Sequence, residues 1–253
     1  MIYYFSATGN SQYVAQQIAA AIGERCEAIT DAPAQLALGE GEVFGLVVPT
    51  HNWGLPAIVR EWLQNLQGDI PSTAYCFLVA TYGTTTGQIA RQTDRLLRRY
   101  KGHPLDASFG VRMPDIWTPL FDLSNAQRVA HRVACAKQEV ADLLPLIQRR
   151  TRGCHIPRAI PAPVALCGYA LYDSKRKTKH LHADDTCIGC GLCAKQCPMH
   201  AIRMEDKRPV WVKEQCTMCL RCLHHCPKFA IQYDNRTAHH GQYTFQKYNR
   251  LCQ

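Results

Sequence analysis

Two cysteine runs constrain this chain more than any other feature. They read Cys187-Ile-Gly-Cys190-Gly-Leu-Cys193-Ala-Lys-Gln-Cys197-Pro198 and Cys216-Thr-Met-Cys219-Leu-Arg-Cys222-Leu-His-His-Cys226-Pro227. Each is C-x2-C-x2-C-x3-C-P, so eight of the fourteen cysteines crowd between Cys187 and Cys226. Three thiolates at two-residue spacing can wrap three irons of a cubane, while the fourth, displaced on a helical turn, reaches across to a second cluster. The spacing assigns Cys187, Cys190, Cys193 and Cys226 to one [4Fe-4S] cluster, and Cys216, Cys219, Cys222 and Cys197 to another. Zinc also takes C-x2-C pairs, but two pairs satisfy it, and it gives no reason for a third cysteine or for the proline. His224 and His225 read as surface residues beside a cluster already supplied with four thiolates. Cys26, Cys76, Cys135, Cys154, Cys167 and Cys252 are scattered and read as small buried hydrophobes. After each run comes Ala-Ile (Ala201-Ile202, Ala230-Ile231), a sign of internal pseudo-twofold symmetry.

Residues 1–150 have a different pattern. Short apolar runs at Ile2 to Phe5, Cys26 to Ile29, Val43 to Val48, Tyr75 to Ala80 and Ala107 to Val111 alternate with segments of helical period. The expectation is an α/β domain with a doubly wound, parallel five-stranded sheet. Helices are expected over Asn10 to Ile22, Pro56 to Leu66, Gly87 to Tyr100 and about Ser124 to Arg150, with Pro145 kinking or ending the last. Over residues 151–180, prolines at 157, 161 and 163 and the basic group Lys175, Arg176, Lys177 and Lys179 mark a linker. Its apolar run Val164 to Tyr172 is expected to pack against one of the flanking domains. A small cluster domain follows at 181–234, then an aromatic and basic tail at 235–253. No leader and no apolar run of membrane-spanning length is expected, which reads as a cytoplasmic protein with no membrane span.

The first strand runs into Phe5-Ser6-Ala7-Thr8-Gly9-Asn10-Ser11. This turn lacks the closing Gly-Lys-Ser/Thr of a Walker loop and two of the three glycines of the dinucleotide fingerprint. It points backbone N–H groups and a helix N-terminus at one spot, with Ser6, Thr8, Asn10 and Ser11 adding donors, which suits a terminal phosphate monoester. Here the sequence resembles the flavodoxin family, whose first loop holds the phosphate of FMN. The resemblance implies that Thr50, Asn52, Trp53 and Gly54 in the second loop, and Thr81, Tyr82, Gly83 and Gly87 in the third, surround the flavin ring. Trp53 and Tyr82 would flank its faces. The segment from about Leu181 to Tyr233 resembles the two-cluster bacterial ferredoxin, a small α+β domain. The order of the parts looks like the EFR-type ferredoxin family, in which a flavodoxin-like domain is fused to such a ferredoxin.

The resemblance implies FMN and two [4Fe-4S] clusters as cofactors. The expected function is an electron-transfer flavo-iron-sulfur protein that passes single electrons between clusters and FMN, and on to a redox partner protein. The alternative is an FMN-dependent reductase of a small-molecule substrate, with His51 as a candidate proton donor. A redox sensor in which the clusters act as folding staples is a third reading. Up to residue 150 the chain holds thirteen Lys/Arg and thirteen Asp/Glu; beyond it, sixteen and seven. The whole net charge of +9 therefore lies in the C-terminal part, which favours an acidic redox partner. No groove-reading motif accompanies it, so no nucleic acid is expected.

Overall fold

A computed structural model describes residues 1–156 and 159–251; Pro157 and Cys252 lie outside the described residues. The chain divides into two compact units. One comprises Met1–Ser6, Asn10–Met113 and Ala134–Tyr172; the other comprises Ala7–Gly9, Pro114–Val133 and the chain from Asp173 onward.

The first unit begins with β1 (Ile2–Tyr4), α1 (Asn10–Ile22), β2 (Cys26–Ala28), β3 (Val43–Pro49) and α2 (Ala57–Asn65). Next come β4 (Tyr75–Tyr82), α3 (Ile89–Lys101), β5 (Ala107–Arg112), α4 (Ala126–Gln148, of this unit from Ala134), β6 (Gly153–His155) and α5 (Ala162–Lys175, of this unit to Tyr172). Six parallel strands lie in the order β2-β1-β3-β4-β5-β6. The chain winds outward from β1 to one edge, then returns past it, which makes the sheet doubly wound and flavodoxin-like. The five expected strands are present, and a sixth, β6, pairs with β5 inside the segment read as a linker. Its three exposed residues carry no apolar run, so hydrophobic pattern could not announce it.

The central strands are apolar on both sides because both faces are covered. Every residue of β4 is buried, as are six of the seven in β3. Val14 and Ile18 of α1, with Val140, Leu143 and Ile147 of α4, pack on Ile2, Val47, Phe77, Val79 and Phe109. On the opposite face Trp62 of α2 meets Tyr3, at 5.0 Å between ring centroids. The helix α4 runs three residues beyond Pro145 instead of stopping there. Burial of Ile147 in the core offsets the hydrogen bond that the proline removes. The run Val164 to Tyr172 forms most of α5 and packs on the first unit, through contacts given below.

The second unit adds a 3-10 turn (Thr178–His180), β7 (Leu181–Ala183), α6 (Leu192–Lys195), β8 (Ile202–Glu205) and β9 (Arg208–Trp211). After these come α7 (Arg221–His224), β10 (Ile231–Tyr233) and α8 (Phe245–Leu251). It holds two antiparallel pairs, β10 with β7 and β8 with β9. Leu181, Met218, Leu220, Leu223 and Ile231 form its core, a ferredoxin-like α+β arrangement. Tail residues Tyr243, Phe245 and Tyr248 are buried. No described helix is long and apolar enough to cross a membrane.

The core of the sheet leaves no room at Gly45. A β-carbon there would come within 2.5 Å of Ile2 Cδ1 and 2.7 Å of Phe77 Cζ. Gly45→Ala is expected to destabilise the first unit by about 2 kcal/mol, from the strain of overpacking, measured as a lower denaturant midpoint with an unchanged slope.

Candidate functional site

Three loops meet at the carboxyl end of the parallel sheet. Ser11 Oγ lies 2.8 Å from Thr81 Oγ1, and the Thr50 N–H donates to the Thr81 carbonyl at 2.8 Å. Thr8, Asn10 and Ser11 are buried, Ser6 is half-buried, and Gly9 has φ 98°. Helix α1 begins at Asn10, directly after this turn, so its N-terminus lies where an anion site would draw on the first-turn N–H groups. Thr50 Oγ1 is buried with no hydrogen-bond partner among the described residues. Such a group costs about 1–3 kcal/mol unless a ligand meets it. This orphaned hydroxyl and the hydroxyl-rich turn from Ser6 to Ser11 fit the polar groups of a flavin phosphate.

The second loop is a tight turn, with His51 and Gly54 exchanging N–H to carbonyl bonds of 2.9 Å each. Asn52 and Trp53 both adopt left-handed backbone, at φ 44° and 72°. The Gln88 N–H donates to the Trp53 carbonyl at 2.9 Å, which laces this loop to the third loop at Gly87. In the third loop Arg112 Nε donates to the Gly83 carbonyl at 2.9 Å. Tyr82 is not in that loop: it is the last residue of β4, buried, and its carbonyl accepts the Met113 N–H at 2.8 Å.

Helix α5 caps the second loop. A β-carbon at Gly168 would come within 2.2 Å of Trp53 Cε3, so the helix backbone lies directly on the indole. Asn52 Nδ2 donates to the Gly168 carbonyl, and Tyr169 Oη to the Leu55 carbonyl at 2.9 Å. Tyr172 Oη accepts the Ala57 N–H at 3.2 Å and faces His51 Nδ1 at 3.4 Å. Sequence reasoning missed Gly168, Tyr169 and Tyr172. Their signal was the glycine itself, which costs a helix interior about 1 kcal/mol relative to alanine and marks a close approach.

In the second unit, Cys187, Cys190, Cys193 and Cys226 line one small cavity, with Met204 and Pro209 among its walls. Three of these thiols come from the first run and one from the second. Cys197 lies close enough to raise the pKa values of Cys216, Cys219 and Cys222, Cys216 to raise those of Cys219 and Cys222, and Cys219 to raise that of Cys222. Burial is the larger cause, pushing Cys216 up to about 11, Cys219 to about 12 and Cys222 well above its ordinary value. Thiolates form there only when a cation at the sulfurs compensates. The two runs share their backbone path. Gly189 and Met218, Gly191 and Leu220, and His200 and Phe229 occupy matching positions, and all have positive φ. The N–H groups of Ala201 and Ala230 donate to Cys197 Sγ and Cys226 Sγ at 3.3 Å each. Among the described residues, no three His, Cys, Asp or Glu side chains converge as the ligands of a single ion do.

His224 and His225 are not the surface residues the sequence implied. His224 is 3% exposed; its Nε2–H donates to the Ile116 carbonyl at 2.9 Å, and its Nδ1 accepts the Tyr243 N–H at 3.2 Å. Burial lowers its pKa to about 4, so the ring is neutral at pH 7. His225 Nε2–H donates to the Ala7 carbonyl at 3.0 Å, and the Phe245 N–H to the Thr8 carbonyl at 2.8 Å. Gln242 Nε2 donates to the Leu223 and Cys226 carbonyls. Among the scattered cysteines, Cys76 is buried, Cys26 and Cys135 are half-buried, and Cys154 and Cys167 are exposed. Among the described ones, Cys76 and Cys26, which packs half-buried against the core, fit the reading as small hydrophobes, whereas the exposed Cys154 and Cys167 do not.

A doubly wound sheet with three polar loops at its carboxyl end, followed by paired cysteine runs around a cavity, defines a flavin and iron-sulfur electron-transfer protein. The chain belongs to the flavodoxin domain family, whose model matches residues 1–140. A model of the 4Fe-4S dicluster domain matches residues 179–227. No curated protein matches the chain.

Two outcomes follow for the second unit. His224→Ala strands the Ile116 carbonyl and the Tyr243 N–H in a buried setting, and is expected to cost about 2–4 kcal/mol, read by thermal unfolding of the loaded protein. Asp115 accepts the Trp117 N–H at 3.1 Å, and burial raises its pKa to about 6. The unfolded carboxyl ionises near its ordinary value while the folded one resists, so stability falls as pH rises from about 4 to 6 and stays reduced above that. Asp115→Asn is expected to be as stable as the parent near pH 3.5 and more stable at pH 8 by up to about 3 kcal/mol, measured by denaturant titration at both pH values.

Proposed function

We propose that this chain is a carrier holding FMN and two [4Fe-4S] clusters, of the EFR type, which passes single electrons between them and to an acidic partner protein. The observation that carries this reading is the cavity lined by Cys187, Cys190 and Cys193 of one run and Cys226 of the other. A two-cluster run needs its fourth thiolate to cross to the other cluster. Zinc would need only four sulfurs about 2.3 Å from one point. In this reading Cys216, Cys219, Cys222 and Cys197 hold the second cluster. When bound, the clusters supply one-electron transfer, and the flavin exchanges one or two electrons.

The chain's own groups do the rest. The turn from Ser6 to Ser11, with Thr50 and Thr81, would hold the flavin phosphate by its N–H groups and hydroxyls. Asn52, Gly54, Gly83 and Gly87 would let backbone approach the ring's polar edge, and Trp53, packed against α5, and Tyr82, at the end of β4, would flank its faces. The Ala201 and Ala230 N–H groups donate to Cys197 Sγ and Cys226 Sγ and would fix the direction of each sulfur at its cluster. Reduction of a small substrate is the second reading. Its candidate proton donor, His51, faces the hydroxyl of Tyr172.

Anaerobic reconstitution is expected to give about eight irons, eight sulfides and one FMN per chain. Cys190→Ser and Cys219→Ser should each remove about four irons, with the flavin retained. A colourless preparation holding zinc would overturn the assignment. Reoxidation of the reduced protein by a small organic acceptor, faster than by any carrier protein, would favour the reductase.

A further inference from the structure

In the second unit the segments 177–183 and 208–214 run antiparallel but do not complete a ladder. They are pinned at one end by a bridge between Lys177 and Gln215 and by two bonds of Thr178, its N–H to the Glu214 carbonyl at 2.9 Å and its hydroxyl to the Lys213 carbonyl at 2.6 Å. Near the other end, Arg208 Nη1 donates to the Asp184 carbonyl at 2.7 Å. Between these pins the strands β7 and β9 face an open groove of about 570 Å³. Each strand is already paired on its far side, β7 to β10 and β9 to β8, so sheet pairing has not closed the groove.

Three properties of the groove point to an occupant. Its apolar wall is exposed, with Val210 at 37% and Val212 at 46%. Its charge is one-sided, since Lys177, Lys179, Lys213 and Arg208 line it against Glu214 alone among the lining residues. Arg208 is matched by Asp185, at 2.9 Å, which leaves the lysines as the unbalanced charge. Finally, Pro209 forms part of both the groove and the cavity lined by Cys187, Cys190, Cys193 and Cys226. One residue separates a molecule in the groove from those thiols. Lys213 Nζ donates to the Met199 carbonyl at 2.6 Å, and Lys177 and Lys179 line the opposite segment of the open trough. Exposed valines with a cationic rim suit an extended protein surface.

We propose that this groove is the docking site of an acidic one-electron carrier protein. Its carboxylates lie along Lys177, Lys179 and Lys213, and an apolar side chain of the carrier rests on Val210 and Val212. This rests on the electron-carrier reading above. The single electron passes between the cluster behind Pro209 and the carrier's own one-electron centre, so one is oxidised as the other is reduced and no proton or bond is exchanged. Rim charges act mainly on the encounter rate and its salt dependence.

The test uses the loaded full-length chain and an acidic two-cluster ferredoxin as probe, with basic cytochrome c as the contrasting carrier. Binding is measured by calorimetry, and electron transfer by stopped flow, over a range of ionic strength. The double variant Lys177→Glu/Lys179→Glu is expected to slow transfer to the ferredoxin about tenfold or more at low salt and to weaken its binding in step, at full iron and flavin content. Arg91→Glu/Arg95→Glu, on exposed positions of α3 in the first unit, makes the same change in net charge and should leave both within about twofold. Equal slowing in the two variants would overturn the docking site and leave the carrier reading intact. So would a parent that prefers cytochrome c. Groove-dependent binding with no transfer would retain the docking site and sink the carrier reading. Tighter binding of a single-stranded oligonucleotide, lost in the same lysine variant, would reassign the groove to nucleic acid and overturn the proposal.

Discussion

The second unit depends on its two cysteine runs sharing one cavity. Cys226 comes from the second run yet lines the space bounded by Cys187, Cys190 and Cys193. Neither run can therefore be placed without the other, and matching backbone paths follow from that requirement. Gly189 and Gly191 take positive φ without steric cost, whereas Met218 and Leu220 adopt the same conformation at a cost of order 1 kcal/mol each. Both side chains are buried, and their packing with Leu181, Leu223 and Ile231 offsets that strain. The same core carries α7, which brings Cys222 and Cys226 to their places.

In the first unit the corresponding constraint is coverage of both faces of β3 and β4. Helices on each side leave the carboxyl ends of the strands as the place where polar side chains can gather. Ser11, Thr50 and Thr81 gather there, and the loops of Asn52 to Gly54 and Gly83 to Gly87 are laced together around them. Helix α5 then closes over Trp53 through the contact at Gly168. A segment of broken apolar pattern thus becomes part of the site's wall.

The parts of this arrangement legible in the sequence were those set by periodicity or fixed spacing. The apolar runs from Ile2, Val43, Tyr75 and Ala107 announce strands because burial on both faces leaves no alternation to misread. Asn10 to Ile22 shows its helix by Tyr13, Val14 and Ile18, and the cysteine runs show their pairing by x2 and x3 gaps. What stayed hidden came from contacts between residues distant in the chain. Gly153–His155 is exposed and polar, so only its register with β5 makes it a strand. His224 reads as a surface residue in the sequence, but it is buried by partners at Ile116 and Tyr243 that lie 108 and 19 residues away. Tyr82 sits next to a glycine loop yet belongs to a buried strand, because its pairing opposite Arg112 extends β4 past the end of the apolar run.

The substitution of glycine by larger residues in one of two otherwise matching turns has a further consequence. Cys190, between Gly189 and Gly191, is exposed, whereas Cys219, between the buried Met218 and Leu220, is 8% exposed. The two otherwise matching turns therefore offer their central sulfurs very unequal access to bulk water.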